Sequence, residues 1–190
     1  MYWDPLPTVA ASTNQPVAGA EELLLWPPES YLLGKWELRD WRNVPGPFYG
    51  AETDSCWAGR LVAPDHVVYE DERFGEVVFR QPRDVQETHR LLSAAWQDPF
   101  CGYAADGDQH WTLALIREWW AERARLAAWI EDLQRRWSVE GNEDEQEAAT
   151  GLRAYAGYLA DGVEGCLREY GFWLEHRRSA RPGETLPDLG

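Results

Sequence analysis

The chain has 190 residues, enough for one domain of ordinary size with a substantial core. Its 18 Lys and Arg against 33 Asp and Glu leave a formal charge of −15, a field that repels nucleic-acid phosphates and anionic membrane surfaces. No apolar stretch approaches the ~20 residues of a membrane helix, Asp4 and Pro5 spoil a signal-peptide reading of residues 1–10, and three cysteines make no disulfide framework; a cytoplasmic protein is expected.

Residues 1–29 carry Pro5, Pro7, Pro16, Pro27 and Pro28, a density that blocks helix interiors and central strands, so an extended arm is expected. Within it, residues 21–26 (EELLLW) form an apolar patch suited to pinning the arm. Residues 36–41 (WELRDW) alternate large apolar with polar side chains, the period of a half-buried strand. Residues 66–70 (HVVYE) and 76–80 (EVVFR) read as a hairpin closed by 71–75.

Helices follow Pro82. Residues 83–96 predict a short amphipathic helix, and Thr112 an N-cap for a long one ending near Trp137. The stripe Ile116, Trp119, Arg123, Leu126, Ile130, Leu133, Trp137 steps by three and four residues, as in a coiled-coil seam. Arg123 interrupts it, either snorkelling or pairing with an acid such as Glu164, or else facing a cavity that takes an anion. After an acidic linker at 140–147, a second long helix is expected from about 143 to 178, its stripe placing Cys166 in the core. The whole reads as α+β: a small antiparallel sheet packed on a helical layer with two long antiparallel C-terminal helices. One domain over 30–178 and a frayed tail at 179–190 complete the expected organisation.

Two loops combine turn residues, aromatics and reactive side chains. The first, 45–60 (PGPFYGAETDSCWAGR), offers Tyr49, Thr53, Asp54, Cys56 and Arg60; the second, 98–111 (DPFCGYAADGDQHW), offers Tyr103 and Trp111. If they meet, these seven residues supply aromatic walls with a few polar groups, the usual make-up of a ligand site. Asp106, Asp108 and His110 alternate, so an extended backbone would face them to one side as ligands for a divalent metal. The competing account makes the two acids turn and helix-end residues. Cys56 could pair with a histidine as a nucleophile, although no family-type signature surrounds it.

The segments GPFYGAETDSCWAGR, VVFRQPRD, DPFCGYAADGDQHW and LIREWWAERARLAAWI resemble a family of intracellular actinobacterial proteins, some carrying a ferredoxin label. The resemblance implies a bacterial cytosolic origin and brings no activity with it. Cys56, Cys101 and Cys166 are too few and too far apart for an iron–sulfur cluster, which normally takes four cysteines at tight spacing. Two functions therefore stand. The first is an acidic, tryptophan-rich binding protein with a Trp/Tyr-lined cleft formed by 45–60 and 98–111, taking a small ligand or a basic partner protein and needing no cofactor. The alternative is a metal-dependent, hydrolase-like enzyme using Asp54, Asp106, Asp108 and His110.

Overall fold

The computed structural model describes residues 1–12 and 26–190, so most of the apolar patch at 21–26 lies outside the described residues. They group into two compact units, Trp3–Gly107 and Met1–Tyr2 with Asp108–Gly190. The architecture is α+β, with small antiparallel ladders in the first unit and helices in the second.

In the N-terminal unit the proline-rich start is not wholly extended. Pro5 and Pro7 sit where a helix tolerates proline, at its entrance, and Leu6–Ala11 forms α1. The strand expected at 36–41 is instead a 3-10 turn, Trp36–Leu38. A local interaction overrides the alternation: the Arg39 guanidinium lies 3.7 Å from the Trp36 ring centroid and donates to the Trp36 carbonyl at 3.0 Å. The strands are β1 (Tyr49–Gly50), β2 (Val67–Tyr69), β3 (Glu76–Val78) and β4 (Tyr103–Ala104). β2 and β3 form the expected hairpin, with Val67 opposite Val78 and Tyr69 opposite Glu76. Both strands are buried throughout, which is why they read as β-branched runs rather than clean alternations. A single helical turn, α2 (Gly59–Val62), precedes the hairpin. The helix α3 (Val85–Gln97) follows it, and the Asp84 side chain caps the helix by accepting from the Glu87 N–H.

The C-terminal unit holds α4 (Leu113–Ala121), α5 (Arg123–Val139), α6 (Glu143–Ala160) and α7 (Val163–His176). Thr112 caps α4 as expected. α5 and α6 are the two long helices, and a three-residue link with an Asn142–Glu145 capping box makes them antiparallel neighbours. The first expected helix breaks at Glu122 because the Arg123 guanidinium donates to the Trp120 carbonyl at 2.9 Å and covers the Trp120 ring. That carbonyl would otherwise serve the continuing helix. Arg123 is thus a surface residue lying on an aromatic face. The second helix breaks at Gly162, whose φ of 125° suits glycine alone. Within α7 the buried seam runs through Val163, Leu167 and Tyr170, so Cys166, expected in the core, is exposed. Residues 179–190, expected to fray, make contacts: Arg178 pairs with Glu184, Arg117 and Arg168 donate to the Asp188 and Pro187 carbonyls, and Leu189 is buried.

Candidate functional site

Inside the N-terminal unit the two glycine-containing loops do meet. β1 and β4 pair through Tyr49 opposite Ala104 and Gly50 opposite Tyr103, and the Ala51 N–H continues the ladder to the Gly102 carbonyl at 2.9 Å. Gly102 is required by this approach, since a Cβ there would lie 2.3 Å from the Glu52 carbonyl oxygen. The Asp98 carboxylate organises the turn: Oδ1 accepts from the Asp54 and Phe100 amides at 3.1 and 3.0 Å, and Oδ2 from the Gly102 amide at 2.6 Å. Those contacts hold Cys101 at a φ of 53° and push Phe100 into solvent, where it is 70% exposed.

A cleft of about 360 Å³ opens in this unit, lined by Asp40, Glu52, Thr53, Glu70, Arg73, Glu76 and Phe100 together with Ala51 and Gly75. Four acidic residues and one arginine thus line it. Two of the four are neutralised from behind by Arg42, which is only 1% exposed. Its Nη1 lies 2.8 Å from Asp40 Oδ2 and 3.8 Å from Glu70 Oε2, and its Nη2 reaches Glu72 at 2.8 Å. Burial still raises the Asp40 carboxyl above its ordinary range, with Arg42 opposing. Glu70 also accepts the Glu72, Arg73 and Gly75 amides, closing the hairpin turn. At the mouth, Arg73 and Glu52 are exposed and 3.9 Å apart.

Glu76 differs from the others. It is 2% exposed, with Oε1 accepting the Gly59 N–H at 2.7 Å and Oε2 the Tyr103 hydroxyl at 2.5 Å. Burial pushes its carboxyl up to about 7, the two hydrogen bonds pull it down, and the Asp54 and Asp98 charges raise it further. Tyr103 is driven well above the usual phenol range by the same burial and by Glu76. Glu76 is therefore a buried acid that exchanges its proton near neutrality.

Of the seven ligand-site candidates, Thr53 lines the cleft, and its Oγ1 accepts the Glu76 N–H at 2.7 Å. Tyr49 and Tyr103 are core residues, so the expected aromatic walls are absent and Phe100 is the aromatic that lines the cleft. The Tyr49 hydroxyl donates to Asp106 at 2.7 Å. Arg60 is buried and turned to the Pro64 carbonyl at 2.8 Å. Asp54 is buried and accepts the Cys56 N–H at 3.2 Å. The Cys56 thiol is exposed, but the Asp54 carboxylate raises it, the opposite of what a thiolate nucleophile needs. Trp111 belongs to the C-terminal unit.

The two acids among the three expected metal ligands are likewise engaged elsewhere. Asp106 accepts from Tyr49 in the N-terminal unit, whereas Asp108, in the C-terminal unit with His110, accepts from the Tyr170 hydroxyl at 2.6 Å. Among the described residues, no trio of His, Cys, Asp or Glu side chains is placed to hold a metal ion. Asp40, Arg42, Glu70 and Glu76 were not readable as site residues, because the polar ends of a half-buried strand are expected in solvent. The run of turn residues directly after Glu70 was the available signal.

A raised carboxyl binds its proton more tightly folded than unfolded, so Glu76 contributes stability that is present below about pH 4.5 and lost as pH rises through about 7. Replacing it with Gln, which cannot ionise, is expected to flatten this component. The stability of Glu76→Gln relative to the parent should improve by on the order of 3 kcal/mol between about pH 4.5 and pH 8, measured by urea unfolding. Parallel curves for the two proteins would refute the assignment.

No family model matches the chain, and no solved structure matches it. Over 78 residues, 40% of the chain, it is 31% identical to a symmetrical bis(5'-nucleosyl)-tetraphosphatase of Yersinia enterocolitica. The matched stretch spans 25% of that protein's length.

Proposed function

We propose that the chain is an acidic binding protein whose cleft in the N-terminal unit receives basic side chains of a partner protein. The observation that carries this reading is the lining of the cleft: Asp40, Glu52, Glu70 and Glu76 against a single Arg73, with Phe100 exposed beside them. Carboxylates attract a guanidinium or ammonium, and an aromatic face adds a cation–π contribution of about 0.5–1 kcal/mol at an exposed site. The cleft volume lies at the lower end of ligand sites, suited to a side-chain head group rather than a large cofactor. The net charge of −15 adds long-range attraction for a basic partner and speeds encounter.

Binding of an arginine-rich peptide tests this reading, and twelve tryptophans provide an intrinsic fluorescence signal. Affinity should be measurable at low ionic strength and fall with added salt. Glu52→Lys should weaken it by roughly tenfold, and Phe100→Ala by about threefold. Both side chains are exposed, so unfolding midpoints should not move. Absence of peptide binding, or unchanged affinity in Glu52→Lys, would overturn the reading.

The partial likeness to a tetraphosphatase favours a second reading, a hydrolase-like enzyme; the sequence offers Asp54, Asp106, Asp108 and His110 as its candidate residues, with a divalent metal. The placement of these residues opposes it, because Asp106 accepts from Tyr49 and Asp108 from Tyr170, and among the described residues no trio of His, Cys, Asp or Glu side chains is placed to hold a metal ion. Incubation with a bis(5'-nucleosyl) tetraphosphate and magnesium or manganese should yield no mononucleotide products. Turnover that disappears in Asp54→Asn would reverse the order of the two readings.

A further inference from the structure

We infer that the groove between α4 and α7 is a docking site for an extended leucine–proline segment of a partner protein, which the chain's own residues 186–190 occupy until a partner displaces them. The groove lies wholly within the C-terminal unit and does not depend on the acidic cleft.

The occupant shows what the groove recognises. Its sequence is Leu186-Pro187-Asp188-Leu189-Gly190, and it lies over Gly171 of α7. A Cβ at Gly171 would stand 3.4 Å from Pro187 Cγ and 3.0 Å from Leu113 Cδ1 on α4. Leu189 is 4% exposed, although the chain just before the segment, 181–185, is exposed. One arginine from each helix holds the backbone. Arg117 Nε donates to the Asp188 carbonyl at 2.9 Å, and Arg168 donates to the Pro187 carbonyl at 2.9 Å and the Leu186 carbonyl at 3.4 Å. The Asp188 carboxylate accepts the Gly190 N–H at 3.2 Å and turns the end of the segment.

Main-chain carbonyls are common to all peptides, so the two arginines fix an extended backbone while the proline and the buried leucine select sequence. Pro187 also biases Leu186 toward the extended conformation before docking, which lowers the ordering cost. On a chain of net charge −15, the two guanidiniums supply local positive charge, matched by the acid Asp188 in the occupant.

The tether adds little to these contacts. Arg178 and Glu184 form an exposed two-point ion pair at 2.6 and 2.7 Å, the Arg181 N–H donates to Glu184, and Gly183 turns the chain at a φ of 90°. Exposed pairs of this kind contribute little to stability and weaken with salt. The segment is therefore retained by its own contacts and by the high local concentration that a short tether confers. A partner segment of the same chemistry meets the same contacts and competes for them.

Fluorescence anisotropy with a labelled, amidated peptide of residues 181–190 tests the groove on the full chain. In the parent the tethered segment competes, and binding should be weak. Leu189→Asp, which places a charge where the segment is buried, should release that segment and strengthen peptide binding by at least about tenfold. Adding Arg168→Gln to this variant should remove the gain, and a peptide carrying the same Leu189→Asp change should not bind. If Leu189→Asp does not fold, NMR of the parent answers the same question: excess unlabelled peptide should move the Leu189 methyl signals to those of an exposed leucine. A folded Leu189→Asp chain that binds the peptide no better than the parent overturns the inference, as do Leu189 signals unmoved by excess peptide. Concentration-dependent dimerisation of the parent that Leu189→Asp abolishes would give the groove to a second copy and overturn the partner reading.

Discussion

Arg42 carries a full positive charge into the interior of the N-terminal unit, and much of that unit is arranged around neutralising it. Asp40 and Glu72 bond its guanidinium, Glu70 approaches to 3.8 Å, and the ring of Trp41 lies 4.9 Å away. The next residue extends the tie: Asn43 Oδ1 accepts the Gly50 and Val78 amides, while Nδ2 donates to the Asp40 and Gly50 carbonyls. Two adjacent side chains thus fasten the segment before β1 to β3 and to the hairpin turn. Removing one partner from a buried ionic network of this kind costs about 3–5 kcal/mol, because the others remain buried and unpaired.

The same arrangement gives the cleft its chemistry. Asp40 and Glu70 are held in a buried setting by Arg42 and the turn amides, and both residues line the cleft. Glu76 has hydrogen bonds but no cation, and its neighbours Asp54 and Asp98 make ionisation harder. One pocket therefore contains carboxylates of two kinds, compensated and uncompensated. In the C-terminal unit the buried pair Tyr170–Asp108 plays no such part: the Tyr170 hydroxyl is raised by burial and by Asp108 and serves as a hydrogen-bond donor.

Much of this fold was legible in the sequence wherever hydrophobic periodicity and capping chemistry agree. The hairpin of β2 and β3, the Thr112 cap and the α5–α6 pair all follow from such signals. The failures have local causes. Arg39 on Trp36 converts an alternating stretch into a turn, and Arg123 on the Trp120 carbonyl divides a helix whose apolar seam continues. The helix expected from 143 to 178 divides at Gly162, and within α7 the seam steps from Val163 to Leu167 rather than to Cys166, which leaves Cys166 outside the core. The candidate site was legible as a region only. Loops 45–60 and 98–111 were singled out and do join through β1 and β4, while the carboxylates lining the cleft come mainly from strand ends and from Asp40. The burial of Asp40 and Glu70 depends on Arg42 lying close in space to both, which no local pattern encodes.

The central claim is that Glu76 is a buried acid holding its proton into the neutral range while Arg42 pairs with Asp40 and approaches Glu70. The most direct measurement is a carbon-13 NMR titration of the glutamate side-chain carboxyls, with Glu76 assigned through its substitution by Gln. The account predicts a midpoint for Glu76 of about 7. A midpoint in the ordinary glutamate range, near about 4.3, would contradict it.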